Sequence, residues 1–402
     1  EFTAAGLTIL ERQLLTLYRA GIRVVHVDAA FAPEAVARAR TEKMPGDLQI
    51  RWKSSPAQPA RTRAPHLVVS GNHLIRPKVV GALVDGTRLH PQTLAYTDEA
   101  RREVMRLVID SQEALTGAPP PPRRLTDEHC LFLPPSRHPR EALTWLLRDA
   151  GKSGDGWMAK YFDRNISLRI TRRLLQTPLK PNHMTLVSTG IGLLGALQFL
   201  GTTHASEVLG ASLVWLHTVL DGCDGEMARL TFQESRWGRF LDFWGDNVVH
   251  VALFACLSLD FSHEAPLAVW AGALACAGTV ASAGYAYWLS SSRADARGET
   301  AAFDPTEIVP DKNGKIGWLG RLEILLARRD FIYLLVLATA IDLPLWFLYA
   351  AGVGAPVYFF LLLLLHRTTA LGEPAAGQPS SRAQESRPVT SSRPISIRAK
   401  AP

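Results

Sequence analysis

The chain has 402 residues, enough for two or three domains, and 44 Lys and Arg against 37 Asp and Glu give it a net charge of +7. Its four cysteines are scattered without a CxxC pair, which argues against a zinc ribbon and against a disulfide framework. Residues 1–180 are mixed and polar, whereas residues 183–366 carry repeated long apolar runs. The two halves therefore belong to different structural classes.

The first half alternates helical and strand patterns. Residues 5–29 predict an amphipathic helix, a glycine turn and a strand, and residues 66–84 predict a strand, a turn and a helix. This alternation favours a soluble α/β domain with a Rossmann-type sheet. We place the domain at residues 1–130, with the proline-rich residues 117–124 marking a domain edge.

Both stretches resemble nucleotidyltransferases of the sugar-nucleotide or molybdopterin type, in the part that follows the glycine-rich loop. Those enzymes carry a metal-binding aspartate at the end of the later strand, and here that place reads Ser70-Gly71-Asn72-His73. The amide of Asn72 binds Mg²⁺ more weakly than a carboxylate, and the glycine-rich loop is not found in the sequence. We therefore predict a degenerate nucleotidyltransferase-like domain whose own activity is lost or much reduced.

Residues 131–182 are predicted to form a linker and a basic juxtamembrane helix. Four apolar residues recur at four-residue spacing: Phe162, Ile166, Ile170 and Leu174. Basic side chains occupy the other faces, which is typical of a helix that lies on the cytoplasmic surface of a membrane. A solvated linker helix is the alternative.

The second half predicts six membrane-spanning helices. The apolar segments are residues 184–201, 208–220, 247–259 and 266–289, with two more inside 331–365. A span needs roughly 17 to 25 residues, so the second and third segments suffice only if their helices continue through the aspartate-rich residues between them. The last turn is expected either near Asp342–Pro344 or near Gly352–Pro356.

Loop charge alternates along these segments. The loops after the first, third and fifth segments contain no Lys or Arg, whereas the opposite loops are basic. By the positive-inside rule, both termini and the aspartates face the cytoplasm, as in an integral multi-pass protein of the inner membrane. A soluble protein with unusually apolar helices is the alternative that this alternation disfavours. Residues 368–402, rich in Ser, Pro, Arg and Ala, predict a disordered tail.

Four carboxylates stand between the second and third segments: Asp221, Asp224, Asp242 and Asp246. Residues three or four apart share a helix face, so two antiparallel helices can bring all four to one point. Unpaired acids at a membrane boundary are costly, and a cation offsets that cost. Oxygen donors without His or Cys suit Mg²⁺, Mn²⁺ or Ca²⁺, and two metal ions are the arrangement that serves phosphoryl transfer. A chance charge cluster and an ion-transport site stay open on spacing alone.

The residues around these acids complete a longer motif. It reads Asp221-x2-Asp224-Gly225-x2-Ala228-Arg229-x8-Gly238-x3-Asp242-x3-Asp246. This pattern resembles the signature of the CDP-alcohol phosphatidyltransferase family. Asn182 and Thr185, before and at the start of the first segment, are similar to the family's lead-in to its first helix. The resemblance covers about residues 155–367, and we place a phosphotransferase domain at residues 183–367.

The resemblance implies a six-helix membrane fold in which an acceptor hydroxyl displaces CMP from a CDP-linked donor. It implies Mg²⁺ or Mn²⁺, two ions in all, on Asp221, Asp224 and Asp242, with Asp246 as a metal-proximal general base. The residues implied near the cytidine and diphosphate are Gly225, Ala228, Arg229 and Gly238, with Ser235, Asn182 and Thr185 as further candidates. We expect His217 and His250 to pack between helices, and we assign no role to Cys223 or Glu226.

The order of the two domains is similar to that of bifunctional enzymes which make CDP-inositol and join it to inositol phosphate. The expected partners are a CDP-alcohol donor, a hydroxyl or polyol-phosphate acceptor, membrane lipid and a second copy in a homodimer, and nucleic acid is not expected. Basic residues of 293–329 either bind an acceptor phosphate or anchor the loop. A divalent-cation transporter would not explain the glycines and Arg229, and the four aspartates count against an inactive scaffold.

Overall fold

The computed structural model describes residues 3–28, 44–53, 66–89, 94–108, 122–134, 139–148, 150, 158–201, 203–297, 331–372 and 396–400. The chain divides into two compact units. The first consists of Glu1–Leu146 with Ser380–Pro402, and the second of Leu147–Pro379. The first is mixed α/β and the second is largely helical, as the contrast between the two halves of the sequence predicts.

The first unit is built on strands flanked by helices. Its elements are β1 (Thr3–Ala4), β2 (Leu7–Thr8), α1 (Ile9–Arg19), β3 (Val24–Asp28), β4 (Gln49–Lys53), β5 (His66–Ser70), β6 (His73–Ile75), α2 (Pro77–Leu89), β7 (Leu94–Thr97), β8 (Glu103–Val108), β9 (Arg123–Arg124), β10 (Cys130–Phe132), α3 (Pro139–Arg148) and β11 (Ser396–Lys400). Among the described residues the largest sheet has seven strands, in the order β4-β3-β11-β5-β8-β7-β9. Strands β3, β4, β5 and β11 pair in parallel, whereas β8 is antiparallel to both β5 and β7.

Local sequence explains the first helix. The hydroxyl of Thr8 accepts a hydrogen bond from the Glu11 backbone at 3.1 Å, and the Glu11 carboxylate accepts one from the Thr8 backbone at 2.7 Å. This reciprocal cap satisfies two backbone groups that a helix start leaves open. Leu10, Leu14 and Leu17 share one face and are buried in the core of the unit.

The end of the chain differs from its prediction. Two described parts of the predicted disordered tail at residues 368–402 have regular structure: α10 (Pro344–Gly372) runs on to Gly372, and Ser396–Lys400 form β11 between β3 and β5. A strand in this position pairs its backbone groups on both sides, which the backbone of any residue except proline can do. Composition, on which the prediction of disorder rests, does not detect such pairing.

A buried carboxylate closes the turn between β7 and β8. Asp98 accepts hydrogen bonds from the Arg102 backbone N–H at 2.7 Å and from Arg102 Nε at 2.6 Å. Its Oδ2 lies 3.4 Å from His73 Nε2, and His73 Nδ1 lies 3.0 Å from Ser70 Oγ. Burial by itself raises the pKa of Asp98, but the hydrogen bonds from Arg102 and His73 outweigh it and hold the pKa below its ordinary value.

We expect Asp98→Asn to weaken the first unit by about 2 kcal/mol, since hydrogen bonds to a charged group contribute roughly 1.5–3 kcal/mol. Because the folded pKa is depressed, this contribution is present above the unfolded pKa and is lost as pH falls through the folded pKa. Hydrogen-exchange protection of residues 94–108, compared near neutral pH and near about pH 3, measures it. Glu128→Gln, at an exposed position of the same unit, is the control. Equal protection in the two variants at neutral pH would contradict the prediction.

The second unit is a set of packed helices. In chain order these are a π-helical turn (Ala159–Asp163), α4 (Arg164–Leu174), α5 (Pro181–Gln198), α6 (His204–Thr231), α7 (Arg236–Asp260), α8 (Pro266–Arg297), α9 (Phe331–Ala340) and α10. Within the described ranges, three helices are long and apolar enough to cross a membrane, at Arg236–Asp260, Pro266–Ser292 and Pro344–Leu365. Helix α9 is apolar but shorter.

The helix boundaries answer two questions that the sequence left open. Helices α6 and α7 continue without a break through the aspartate pairs, as a full-length helix in each place requires. The last turn lies at residues 341–343, where Asp342 has a left-handed φ of 62°. Pro356, near the other candidate turn, lies inside α10.

The predicted juxtamembrane helix is present as α4, but its most deeply buried residues are polar. Asp163, Ser167 and Thr171 are buried, Ile170 and Leu174 are partly buried against a small apolar cluster, and Phe162 is 51% exposed. The buried residues follow the same four-residue spacing as the apolar ones, displaced by one position. This displacement arises because the face of α6 against which α4 packs carries a buried acid.

Helices α5 and α6 touch through backbone atoms. A Cβ atom built on Gly195 would lie 2.9 Å from both the Gly210 carbonyl oxygen and the Val214 nitrogen. Backbone atoms in two packed helices cannot move aside as a flexible side chain can. The contact therefore requires glycine at this position.

We expect Gly195→Ala to lower the unfolding midpoint of the purified protein in detergent, because the added methyl group forces the two helices apart. Gly190→Ala is the matched control on the same helix, since nothing lies within 4 Å of its Cβ position. Alanine there should leave the midpoint unchanged or raise it, by up to about 1 kcal/mol of helix propensity. Identical midpoints for the two variants would show that the close approach does not matter.

Candidate metal centre

Three carboxylates meet where α6 and α7 run side by side. Asp221 and Asp224 lie on α6 and Asp242 lies on α7, and each offers an oxygen within 4.8 Å of the other two. A short connection makes this possible: α6 ends at Phe232 in a left-handed conformation, and the Ser235 hydroxyl caps α7 by accepting from the Gly238 N–H at 2.9 Å. Of the four aspartates expected to meet at one point, these three form the group within 4.8 Å.

The donor set of this group suits a hard divalent cation. Asp221 and Asp224 are 4% and 5% exposed, so water screens their mutual repulsion poorly. All three donors are carboxylate oxygens, which are the ligands that Mg²⁺ and Mn²⁺ prefer. A cation at this point would offset the repulsion, and the residues present therefore fit such an ion.

Thr185 on α5 supports one of these carboxylates. It is 3% exposed, and its hydroxyl donates a hydrogen bond to Asp224 Oδ2. A hydroxyl in this position restricts the orientation of the carboxylate, as outer partners of metal ligands commonly do. Thr185, a predicted substrate-contacting residue, thus lies against Asp224.

Asp246 stands one turn beyond Asp242 and outside the group of three. Its Oδ1 lies 3.3 Å from Nε2 of His217, which is on α6 and only 2% exposed. His217, expected to pack between helices, is thus also the neighbour of the predicted general base. The sequence signal that could have marked His217 as part of the site was its position four residues before Asp221, on the same helix face.

The predicted substrate-contacting glycines lie against protein atoms. A Cβ on Gly238 would be 2.8 Å from Asn182 Oδ1 and 3.0 Å from Ser235 Oγ, so three predicted contact residues lie together. A Cβ on Gly225 would be 3.1 Å from Arg229 Nη1. The Arg229 guanidinium thus lies over Gly225.

Two further residues predicted to contact the substrate lie on the same helix as Gly225. Ala228 lies half-buried on α6, and Arg229 Nε donates to the Ala150 carbonyl oxygen at 2.7 Å. In the predicted basic loop, Lys312, Lys315 and Arg321 lie outside the described residues.

Glu226, to which the sequence assigned no role, is fully buried on α6. It stands two residues after Asp224, and a further acid so close to the aspartate pair on a largely apolar helix was the signal that could have marked it. Its partners lie on α4, between 55 and 62 residues away in the chain.

This cluster of carboxylates on adjacent helices, with oxygen donors only, could hold a divalent cation. Residues 179–311 match the family model described as CDP-alcohol phosphatidyltransferase. This segment, about a third of the chain, is therefore similar to the CDP-alcohol phosphatidyltransferase family.

Similar curated proteins carry related names. The chain is 34% identical over 142 residues to the bifunctional IPC transferase and DIPP synthase of Thermococcus kodakarensis, an alignment covering 35% of this chain and 32% of that protein. It is 32% identical over 136 residues to the phosphatidylinositol phosphate synthase of Corynebacterium glutamicum, covering 33% of this chain and 58% of that protein. The chain spans between 23% and 32% of the length of the bifunctional relatives it matches.

Solved structures of the phosphatidylinositol phosphate synthase of Mycobacterium tuberculosis are also similar. The structure with CDP-DAG bound is 20% identical, with a TM-score of 0.37, and the match covers 54% of this chain and 99% of that chain. A second structure of the same protein, in complex with manganese and citrate, also has a TM-score of 0.37.

We expect Thr185→Val to weaken Mn²⁺ binding by about tenfold or more, because loss of a hydrogen bond behind a metal ligand typically costs 10- to 100-fold in affinity. An electron-paramagnetic-resonance titration of free Mn²⁺ measures the affinity directly. Thr279→Val is the control, since that hydroxyl bonds the Ala275 carbonyl of its own helix, α8, at 2.8 Å. Wild-type affinity in Thr185→Val would show that the hydroxyl does not orient Asp224.

Proposed function

We propose that this chain transfers a substituted phosphate group from a CDP-alcohol to an acceptor hydroxyl, with release of CMP. The observation that carries the proposal is the meeting of Asp221, Asp224 and Asp242 within the segment that matches the family. Neither a chance cluster nor a transport site accounts for both the geometry and the family match.

Two Mg²⁺ or Mn²⁺ ions are proposed as cofactors. Asp221, Asp224 and Asp242 would hold them, with Asp246 beside the same site as a further ligand. When bound, such ions neutralise the charge of a diphosphate and of the leaving phosphate. Thr185 keeps the Asp224 carboxylate turned toward them.

In the proposed step Asp246 accepts the proton of the acceptor hydroxyl. The hydroxyl oxygen then forms a bond to the phosphorus that carries the donor alcohol. The bond from that phosphorus to the bridging oxygen breaks, and CMP leaves with this oxygen and its electron pair. His217, at 3.3 Å, restrains the carboxylate of Asp246 so that one oxygen faces the hydroxyl.

The diphosphate is proposed to bind near Gly225 and Ala228. The guanidinium of Arg229 lies over Gly225 and can neutralise phosphate oxygens there. Asn182, Ser235 and Gly238 lie together at the start of α7 and are proposed to contact the cytidine. Their grouping supports one binding surface rather than scattered contacts.

The names of the relatives support the choice of substrates. Enzymes named phosphatidylinositol phosphate synthase and DIPP synthase suggest an inositol phosphate or another polyol phosphate as acceptor. We propose a CDP-linked lipid or polyol as donor. Some of the basic residues of 293–329 would bind the acceptor phosphate, and most would anchor the loop at the membrane surface.

The proposal includes a membrane arrangement. Helices α5 to α10 would form six spans in the inner membrane, within a phosphotransferase domain at residues 183–367 and with both termini in the cytoplasm. A homodimer is proposed, as is a degenerate nucleotidyltransferase-like domain at residues 1–130. Residues 131–182 would link the two domains along the membrane surface.

Release of CMP by the purified protein with Mg²⁺, over a panel of CDP-alcohols and acceptors, tests the activity. We expect Asp242→Asn to lower the rate by about a hundredfold or more, since it removes electrostatic stabilisation of the transferred phosphate. Asp260→Asn is the matched control, at the far end of the same helix, and should keep the rate within about twofold.

Two results would contradict the proposal. One is CMP release that survives in Asp242→Asn. The other is uptake of divalent cations into vesicles without any CDP-alcohol, together with no CMP release from any substrate pair, which would favour a transporter.

A further inference from the structure

Glu226 points away from the carboxylates that define the site. At 100° per residue, it lies about 140° around α6 from Asp221 and about 160° from Asp224. The two aspartates face α7, where Asp242 lies, and Glu226 occupies nearly the opposite face. Glu226 therefore does not belong to the metal-binding group, although it is close to it in sequence.

Its carboxylate is satisfied by one other helix. Glu226 is 0% exposed, and its Oε1 accepts hydrogen bonds from Arg164 Nη1 at 2.8 Å and from Ser167 Oγ at 2.7 Å. Its Oε2 accepts one from Thr171 Oγ1 at 2.7 Å. All three donors belong to α4. A buried charge with this many partners is stable only in one geometry, since breaking a bond leaves an uncompensated ion.

A second contact lies on the same face of α6. Trp215 precedes Glu226 by eleven residues, three turns of helix, so the two point in nearly the same direction. Trp215 Nε1 donates to Asp163 Oδ1 at 3.3 Å, and Tyr333 on α9 donates to the same oxygen. The segment 163–171 thus contacts one face of α6 at two positions, Trp215 and Glu226.

We propose that Glu226 is a positioning residue, which holds α6 against α4 and so keeps Asp221 and Asp224 turned toward Asp242. This inference rests on the proposed function of the carboxylate site. A rotation of α6 by about 20° would move a carboxylate roughly 5 Å from its axis by nearly 2 Å. Metal–ligand distances tolerate only about 0.2 Å. Rotation of α6 about its own axis would therefore disrupt the metal site.

The test compares Glu226→Gln and Thr171→Val with wild type. Glu226→Gln removes the charge but keeps the size of the side chain, and Thr171→Val removes one hydroxyl at constant volume. Mn²⁺ affinity is measured by electron paramagnetic resonance, and kcat and the KM for the donor by CMP release. Ser212→Ala is the control on α6, since that exposed hydroxyl bonds the Val208 carbonyl of its own helix, at 2.7 Å.

We expect Glu226→Gln to weaken Mn²⁺ binding and to lower kcat, each by about 10- to 100-fold, because misplacement of about 1 Å can cost this much. The donor KM should stay within about twofold, and Thr171→Val should show a smaller loss of the same kind. Ser212→Ala should match wild type in all three quantities. A role in stability alone would instead lower the yield of folded protein and leave the Mn²⁺ affinity of the folded fraction unchanged.

Wild-type Mn²⁺ affinity in folded Glu226→Gln would overturn the inference. If Glu226→Gln does not fold, wild-type affinity in Thr171→Val would overturn it instead. Weakened Mn²⁺ binding in the variants, with no CMP release even from wild type, would support the positioning role and contradict the proposed reaction. A failure of the positioning role and a failure of the proposed reaction therefore give different results.

Discussion

Mutual repulsion among three carboxylates is the constraint on which the helical unit depends. Asp221, Asp224 and Asp242 have oxygens within 4.8 Å of one another, and two of the three are almost fully buried. Charges so close and so poorly hydrated oppose folding unless a cation joins them. Two neighbouring helices must nonetheless meet with these side chains facing each other, so the packing around them has to supply the stability that the acids take away.

Contacts on several sides of α6 supply the stability that the three carboxylates take away. On one side of α6, Gly195 and Gly210 let α5 approach to backbone contact, and Thr185 of α5 reaches Asp224. On another side, α4 binds Glu226. A helix held on both faces has little freedom to rotate, which is the condition for carboxylates to keep ligand distances from an ion. Stability and proposed chemistry thus depend on the same contacts.

The buried acids fall into two physical kinds. Asp98 in the first unit and Glu226 in the second each bond an arginine, at 2.6 and 2.8 Å, and each also bonds or closely approaches other polar side chains. Such acids hold two elements together, and breaking the pair is costly because a charge is left behind. The three carboxylates of the metal centre are arranged toward one another, a grouping that suits a bound cation and the proposed transfer of a phosphate group.

Sequence alone determined whatever depends on near neighbours in the chain. Spacing of three and four residues placed each aspartate pair on one helix face, apolar periodicity predicted the helices of the second half, and strand and turn signals predicted a mixed α/β first half. Contacts between distant residues required the tertiary structure. The bonds from Thr185 to Asp224 and from Arg164 to Glu226, the approach of His217 to Asp246, and the pairing of β11 join residues 29 or more positions apart. Such contacts are set by the rotation and register of packed elements, which no local pattern encodes.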